Sequence, residues 1–179
     1  MPSNLDELRY PIGHFDAPAS IDEGQIQTWI SDIEALPKDL RRIVERLSES
    51  QLDTPYRPGG WTIRQVVHHL PDSHMNSFIR FKWALTEDRP TIKAYFEDRW
   101  AKLSDYSSVP VSVSLDLLES LHRRWVGLLR SLGPEDLNRE FVHPEAGSTS
   151  LVVSIGAYAW HGRHHLAHIE NTVRREGWF

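Results

Sequence analysis

Four stretches of this chain repeat their apolar residues every three and four positions, a period that admits little besides packed amphipathic helices. The first follows Ser20 and Glu23, spaced as a capping box, and runs through Ile26, Ile30, Ile33, Leu36, Leu40, Ile43, Val44 and Leu47. Pro37 falls inside it and should kink or interrupt it, because proline lacks an amide donor and crowds the preceding turn. The second opens on another capping-box pair, Thr62 and Gln65. Its stripe is Ile63, Val66, Val67, Leu70, His74, Phe78, Phe81 and Leu85, with Pro71 expected to bend it near His68. A third runs from about Ser114 to Leu132 and stops at Gly133-Pro134. A fourth runs from about Leu151 to Arg175 on Ile155, Ala159, Leu166, Ile169 and Val173. Together they predict an all-α four-helix bundle, with residues 1–179 forming one domain.

The links have characters of their own. Residues 1–20, with Pro2, Pro11, Gly13 and Pro18, read as an irregular lead-in, and 52–60 read as loop. Residues 87–113 form a long connection between helices two and three that holds Tyr95, Phe96, Trp100 and Tyr106. Connections of that length are usually lids or site walls. Residues 134–150 read as a turn and a short hairpin around His143, Pro144 and Gly147.

Composition removes several classes of function. The chain has no cysteine, so disulfides, thiolate metal sites, iron–sulfur clusters and a cysteine nucleophile are excluded. A formal charge of -5 without a basic cluster argues against nucleic acid and anionic membranes as partners. No apolar run reaches the roughly 18–20 residues of a membrane span, and no secretory leader is visible, so a cytoplasmic location is expected.

Histidine is the unusual residue: there are ten, and seven of them fall in two helical segments. On the fourth helix, His161 and His165 stand four apart, so both rings project from one face about a turn apart. Two imidazole nitrogens at that spacing can reach one cation at about 2.0–2.1 Å each. The helix signature of the zinc proteases is absent, because no Glu lies between the pair. A third ligand is needed, and the second helix offers His68-His69. Of these, His69 lies at the edge of the apolar stripe and His68 is turned away. The expected metal ligands are therefore His69, His161 and His165. The plainer alternative is that such histidines are hydrogen-bonded core residues, as single ones on apolar faces usually are.

The same residues carry a resemblance. Tyr10-Pro11-Ile12-Gly13, Gln51 to Arg57, Gly59 to Leu70, Asp72 to Ser77, Ile79 to Lys82 and Trp160 to Ile169 resemble the YfiT-like branch of the DinB-like superfamily. That likeness implies a four-helix bundle, a homodimer, and one zinc or nickel ion per chain. It implies one ligand on the second helix and a His-x3-His pair on the fourth, which are His69, His161 and His165. Pro71 and Gly162-Arg163 depart from the family pattern without removing a ligand.

Three protein ligands leave a coordination position for water or substrate, which suits catalysis rather than structure. The resemblance implies a divalent-metal-dependent thiol S-transferase that joins a low-molecular-weight thiol of the bacillithiol type to a small electrophile. The alternatives are a metal-dependent hydrolase using metal-bound hydroxide, and a non-catalytic metal-binding bundle. Asp72 is a candidate to orient the His69 ring, and Arg57, Arg64 and Arg80 are candidates to hold a thiol's carboxylate. No general base is evident beside His161 or His165.

Overall fold

The computed structural model describes residues 4–179; the expectation for Pro2 lies outside them. Among the described residues, the lead-in is less irregular than expected, since α1 (Asn4–Arg9) occupies part of it. The first long helix, α2 (Glu23–Val44), is capped by Asp22 rather than Ser20. The Asp22 carboxylate accepts from the Gln25 amide at 2.7 Å, and an ionised oxygen beats a hydroxyl against the positive helix end. Pro37 does not interrupt α2; it lies buried inside a continuous helix. A single turn, α3 (Glu49–Leu52), then precedes the loop and is closed by a Ser48–Gln51 capping box.

Helix α4 (Ile63–Thr86) starts where the sequence places it. The Gln65 amide donates to the Thr62 hydroxyl at 3.2 Å, and the Thr62 amide donates to the Gln65 side chain at 2.9 Å. It too continues through its proline, Pro71. The long connection folds into two single turns, α5 (Glu97–Trp100) and α6 (Asp105–Ser108). Helix α7 (Val111–Leu129) begins three residues earlier than expected, with Pro110 at its N-cap. After α8 (Pro134–Leu137), β1 (Glu140–His143) and β2 (Gly147–Ser150) form the short antiparallel hairpin. Helix α9 (Leu151–Glu176) closes on Gly177, whose φ of 65° provides the left-handed cap that favours glycine.

The four long helices pack as a square in which α2 and α4 each touch both α7 and α9. Helices α2 and α4 therefore lie on one diagonal and α7 and α9 on the other. Close approach of α9 to α2 depends on small residues. A Cβ on Gly156 would come within 2.8 Å of the Trp29 ring, and one on Gly162 within 2.5 Å of Leu36.

The core is divided into two. One apolar cluster holds Trp29, Ile33, Phe81, Trp125 and Ile155; the other holds Leu40, Ile63, Leu70, Leu118 and Ile169. Between them along α4, α7 and α9 stand His74, His122, His161 and His165, all enclosed to nine-tenths or more except His161, which is partly exposed. The bundle thus carries a layer of imidazoles across its middle. No helix among the described residues is long and apolar enough to cross a membrane.

Candidate metal centre

The second turn of α4 and the middle of α9 face one another across one side of the square, and that contact brings His69, His161 and His165 together. One ligand-capable nitrogen from each ring lies within 4.8 Å of the others. Nε2 of His69 and Nε2 of His161 are 3.3 Å apart. Two nitrogens bound tetrahedrally at the usual zinc distance are separated by about 3.3–3.4 Å, so this pair already spans one edge of such a site. The donor set suits a borderline divalent cation: three imidazoles and no thiolate.

Burial prepares these rings to act as ligands. It pushes the His69 pKa down to about 4, and holds His161 and His165 well below the ordinary histidine value, with the neighbouring histidines adding to the effect. Each ring is therefore neutral at pH 7 and has a lone pair to offer.

The site opens on a cavity of about 440 Å³, lined among others by Arg9, Tyr10, Tyr56, Arg57, Glu97 and Asp98. The Trp61 ring packs 4.7 Å from His69 and lies almost parallel to His165 at 6.4 Å, walling the ligands on one side. The capping box at Thr62 fixes the point where the chain turns from loop to helix, so it fixes this tryptophan as well. Glu97 and Asp98 belong to the connection between α4 and α7, which thus serves as a wall of the site.

Other candidate residues fall differently. Asp72 does not reach His69: its Oδ2 accepts from the Tyr106 hydroxyl at 2.7 Å, and Nδ1 of His69 is buried without a hydrogen-bond partner. His68 turns away, with Nδ1 2.7 Å from the Ser114 hydroxyl. Arg57 lines the cavity, whereas Arg64 is bound to Glu49 and Asp53, and Arg80 is buried with its guanidinium 3.5 Å from the Lys93 carbonyl. Arg163 faces Asp32 at 3.4 Å and leaves the ligands undisturbed.

Sequence reasoning missed Arg9, Tyr10, Glu97 and Asp98. None lies on a periodic face, and each reaches the cavity only through the docking of α1 and α5. It also passed over His74, His122 and His168. Nε2 of His74 is 3.1 Å from Nδ1 of His161, and Nδ1 of His74 is 2.9 Å from Nε2 of His122, whose Nδ1 is 2.6 Å from the Ile33 carbonyl. On the other side, Nδ1 of His168 is 3.4 Å from Nδ1 of His165, and Nε2 of His168 is 3.1 Å from the Arg9 carbonyl. Burial lowers His122 and His168 to about 4 and also holds His74 well below the ordinary histidine value. His74 could have been suspected from its place inside an apolar stripe.

The model for the DinB superfamily matches residues 32–169. The chain belongs to the DinB superfamily. A Bacillus cereus relative that carries the provisional name metal-dependent hydrolase is 60% identical over 174 residues, covering 97% of this chain and all of the relative. A Bacillus anthracis relative with the same provisional name is 59% identical over the same length, with the same coverage of both chains. Among solved structures, YfiT from Bacillus subtilis matches with a TM-score of 0.94 and 49% identity, covering 97% of this DinB chain and 99% of its own. It is described as a four-helix bundle of unusual topology and, provisionally, as a metal-dependent hydrolase. A second four-helix bundle, TT2238, matches at a TM-score of 0.52 and 21% identity over 79% of this chain and 94% of its own; that likeness concerns the fold alone. The expected bundle and the expected YfiT likeness both hold.

Proposed function

We propose that this DinB protein is a metal-dependent enzyme whose cation, zinc or nickel at one per chain, is held by His69, His161 and His165. The observation that carries this reading is the convergence of three neutral imidazoles, two buried and one partly buried, on the wall of a polar cavity. Three neutral ligands leave the cation's charge uncompensated, as an activating site requires. A divalent cation bound there would lower the pKa of water to about 7 or hold a thiol as thiolate near neutral pH.

The nucleophile we assign is the thiolate of a low-molecular-weight, bacillithiol-type thiol. In the transfer, its sulfur bonds to an electrophilic carbon and the leaving group departs with the bonding pair. Support comes from the family resemblance and from two cations, Arg9 and Arg57, beside the cavity, where they can grip a thiol's carboxylate. Trp61 and Tyr56 would shield the reacting sulfur from bulk water. A second reading, hydrolysis with water as the nucleophile, is favoured by Glu97 and Asp98, carboxylates on the cavity wall able to accept a proton. The names of the relatives agree with it. The family likeness also supports a homodimer, and the composition supports a cytoplasmic location.

The deciding experiment uses metal-replete protein purified without a histidine tag. Conjugation of bacillithiol to an aryl or alkyl halide, lost on chelation and in His165→Ala, is the expected result. Turnover of ester or amide panels without any thiol would assign hydrolysis instead. Activity in neither assay would leave a metal-binding bundle without catalysis.

A further inference from the structure

Two of the three candidate ligands are tied, through other histidines, to a backbone carbonyl. The Ile33 carbonyl, 2.6 Å from Nδ1 of His122, can only accept, so a neutral His122 carries its proton on Nδ1 and presents a bare Nε2. The ring facing that bare nitrogen at 2.9 Å must donate, which puts the His74 proton on Nδ1 and leaves Nε2 of His74 as an acceptor. By the same step, His161 donates from Nδ1 across 3.1 Å. The chain of constraints ends on Nε2 of His161 with no proton, and that is the atom facing His69.

The second chain repeats this logic with different parts. The Arg9 carbonyl accepts from Nε2 of His168, so Nδ1 of His168 is bare and Nδ1 of His165 must donate to it. His165 is again left with a bare Nε2. The first chain passes through all four long helices, from His161 on α9 to His74 on α4, His122 on α7 and Ile33 on α2. Packing of the bundle thus sets a protonation pattern in the site. His69 has no such chain, since its Nδ1 is buried without a partner.

We propose that His74, His122 and His168 are positioning residues: two imidazole chains anchored on the Ile33 and Arg9 carbonyls hold His161 and His165 as Nδ1–H tautomers with Nε2 free for the cation. Ligating histidines generally need such a partner on the other ring nitrogen, and losing it typically costs roughly 10–100-fold in metal affinity. Here the partners are neutral imidazoles in place of the commoner carboxylates. They orient the rings without adding negative charge to the site. The proposal rests on the three-histidine site above, and its test separates the two.

The first measurement is a long-range 1H–15N spectrum of metal-free wild type, which reports tautomers with no metal present. Nδ1–H at both His161 and His165 is expected; Nε2–H at either would overturn the proposal. The second is Zn2+ affinity by chelator competition. His74→Phe fills the space but removes the acceptor and should bind roughly 10–100-fold more weakly. His74→Gln, which returns an acceptor where Nε2 stood, should recover much of that loss. A folded His74→Phe with wild-type affinity, or a His74→Gln no better than His74→Phe, would also overturn it. If His74→Phe does not fold, the wild-type spectrum alone decides. Wild type that shows the expected tautomers but binds no Zn2+ would instead remove the three-histidine reading and leave the imidazole chains standing.

Discussion

The Tyr106 hydroxyl donates to Oδ2 of Asp72 across 2.7 Å, pinning the long connection between α4 and α7 to the face of α4 three residues beyond His69. Tyr106 is 4% exposed, so the bond is formed where water competes poorly. Burial raises the Asp72 pKa, and the Tyr106 bond acts against that rise. Asp72→Ala would strand a buried hydroxyl and should cost about 1–3 kcal/mol of stability. Faster hydrogen exchange over residues 95–108 is expected, with metal content per chain unchanged. Loss of metal in this variant would return Asp72 to a role in orienting His69.

Removing one ligand should have the opposite profile. His161→Ala and His165→Ala are each expected to hold far less zinc or nickel than the one ion per chain expected for wild type. Elemental analysis of untagged protein reads this directly. Equal metal content in wild type and both variants would defeat the three-histidine assignment.

The buried imidazoles also make stability depend on pH. In the folded chain His69, His122 and His168 titrate near 4, against an ordinary value of 6.5. As pH falls below 6.5, the unfolded chain takes up protons that the folded chain refuses, and the balance moves toward unfolding. The contribution is complete above about pH 6.5 and disappears as pH falls through about 4. The Tm of metal-free protein should be flat from pH 8 to 7 and fall steadily from 6.5 toward 4. A Tm independent of pH over that interval would contradict neutral burial of these rings. Saturating Zn2+ should raise the Tm by mass action, and by nearly as much at pH 5 as at pH 7, because the folded rings are still neutral at pH 5.

Gly156 offers a test of the helix square. A methyl there would meet the Trp29 ring at 2.8 Å and Phe15 at 3.0 Å. Because Trp29 is itself packed in the core, Gly156→Ala should destabilise by about 1–3 kcal/mol through overpacking. Denaturant unfolding measures this, and an unchanged midpoint would mean that α2 and α9 can separate at little cost.

Local signals determined a good deal. The 3.6-residue period and the Thr62–Gln65 box located α4, and the four-residue spacing placed His161 and His165 on one face, because helical geometry follows from nearest neighbours along the chain. The same reasoning named Ser20 instead of Asp22 as a cap, where two adequate caps stood two residues apart. It also allowed for an interruption at Pro37, which lies instead inside a continuous α2. Only the tertiary structure could decide which rings lie beside one another. His74 and His122 are separated by 48 residues and His168 and Arg9 by 159, and their contacts exist because of how the helices and α1 dock. Periodicity shows that a side chain points inward, but the partner it meets is set by the diagonal arrangement of the square. The sequence by itself therefore named the three histidines that converge, while packing supplied the cavity wall and the histidine contacts that link two of them to the Ile33 and Arg9 carbonyls.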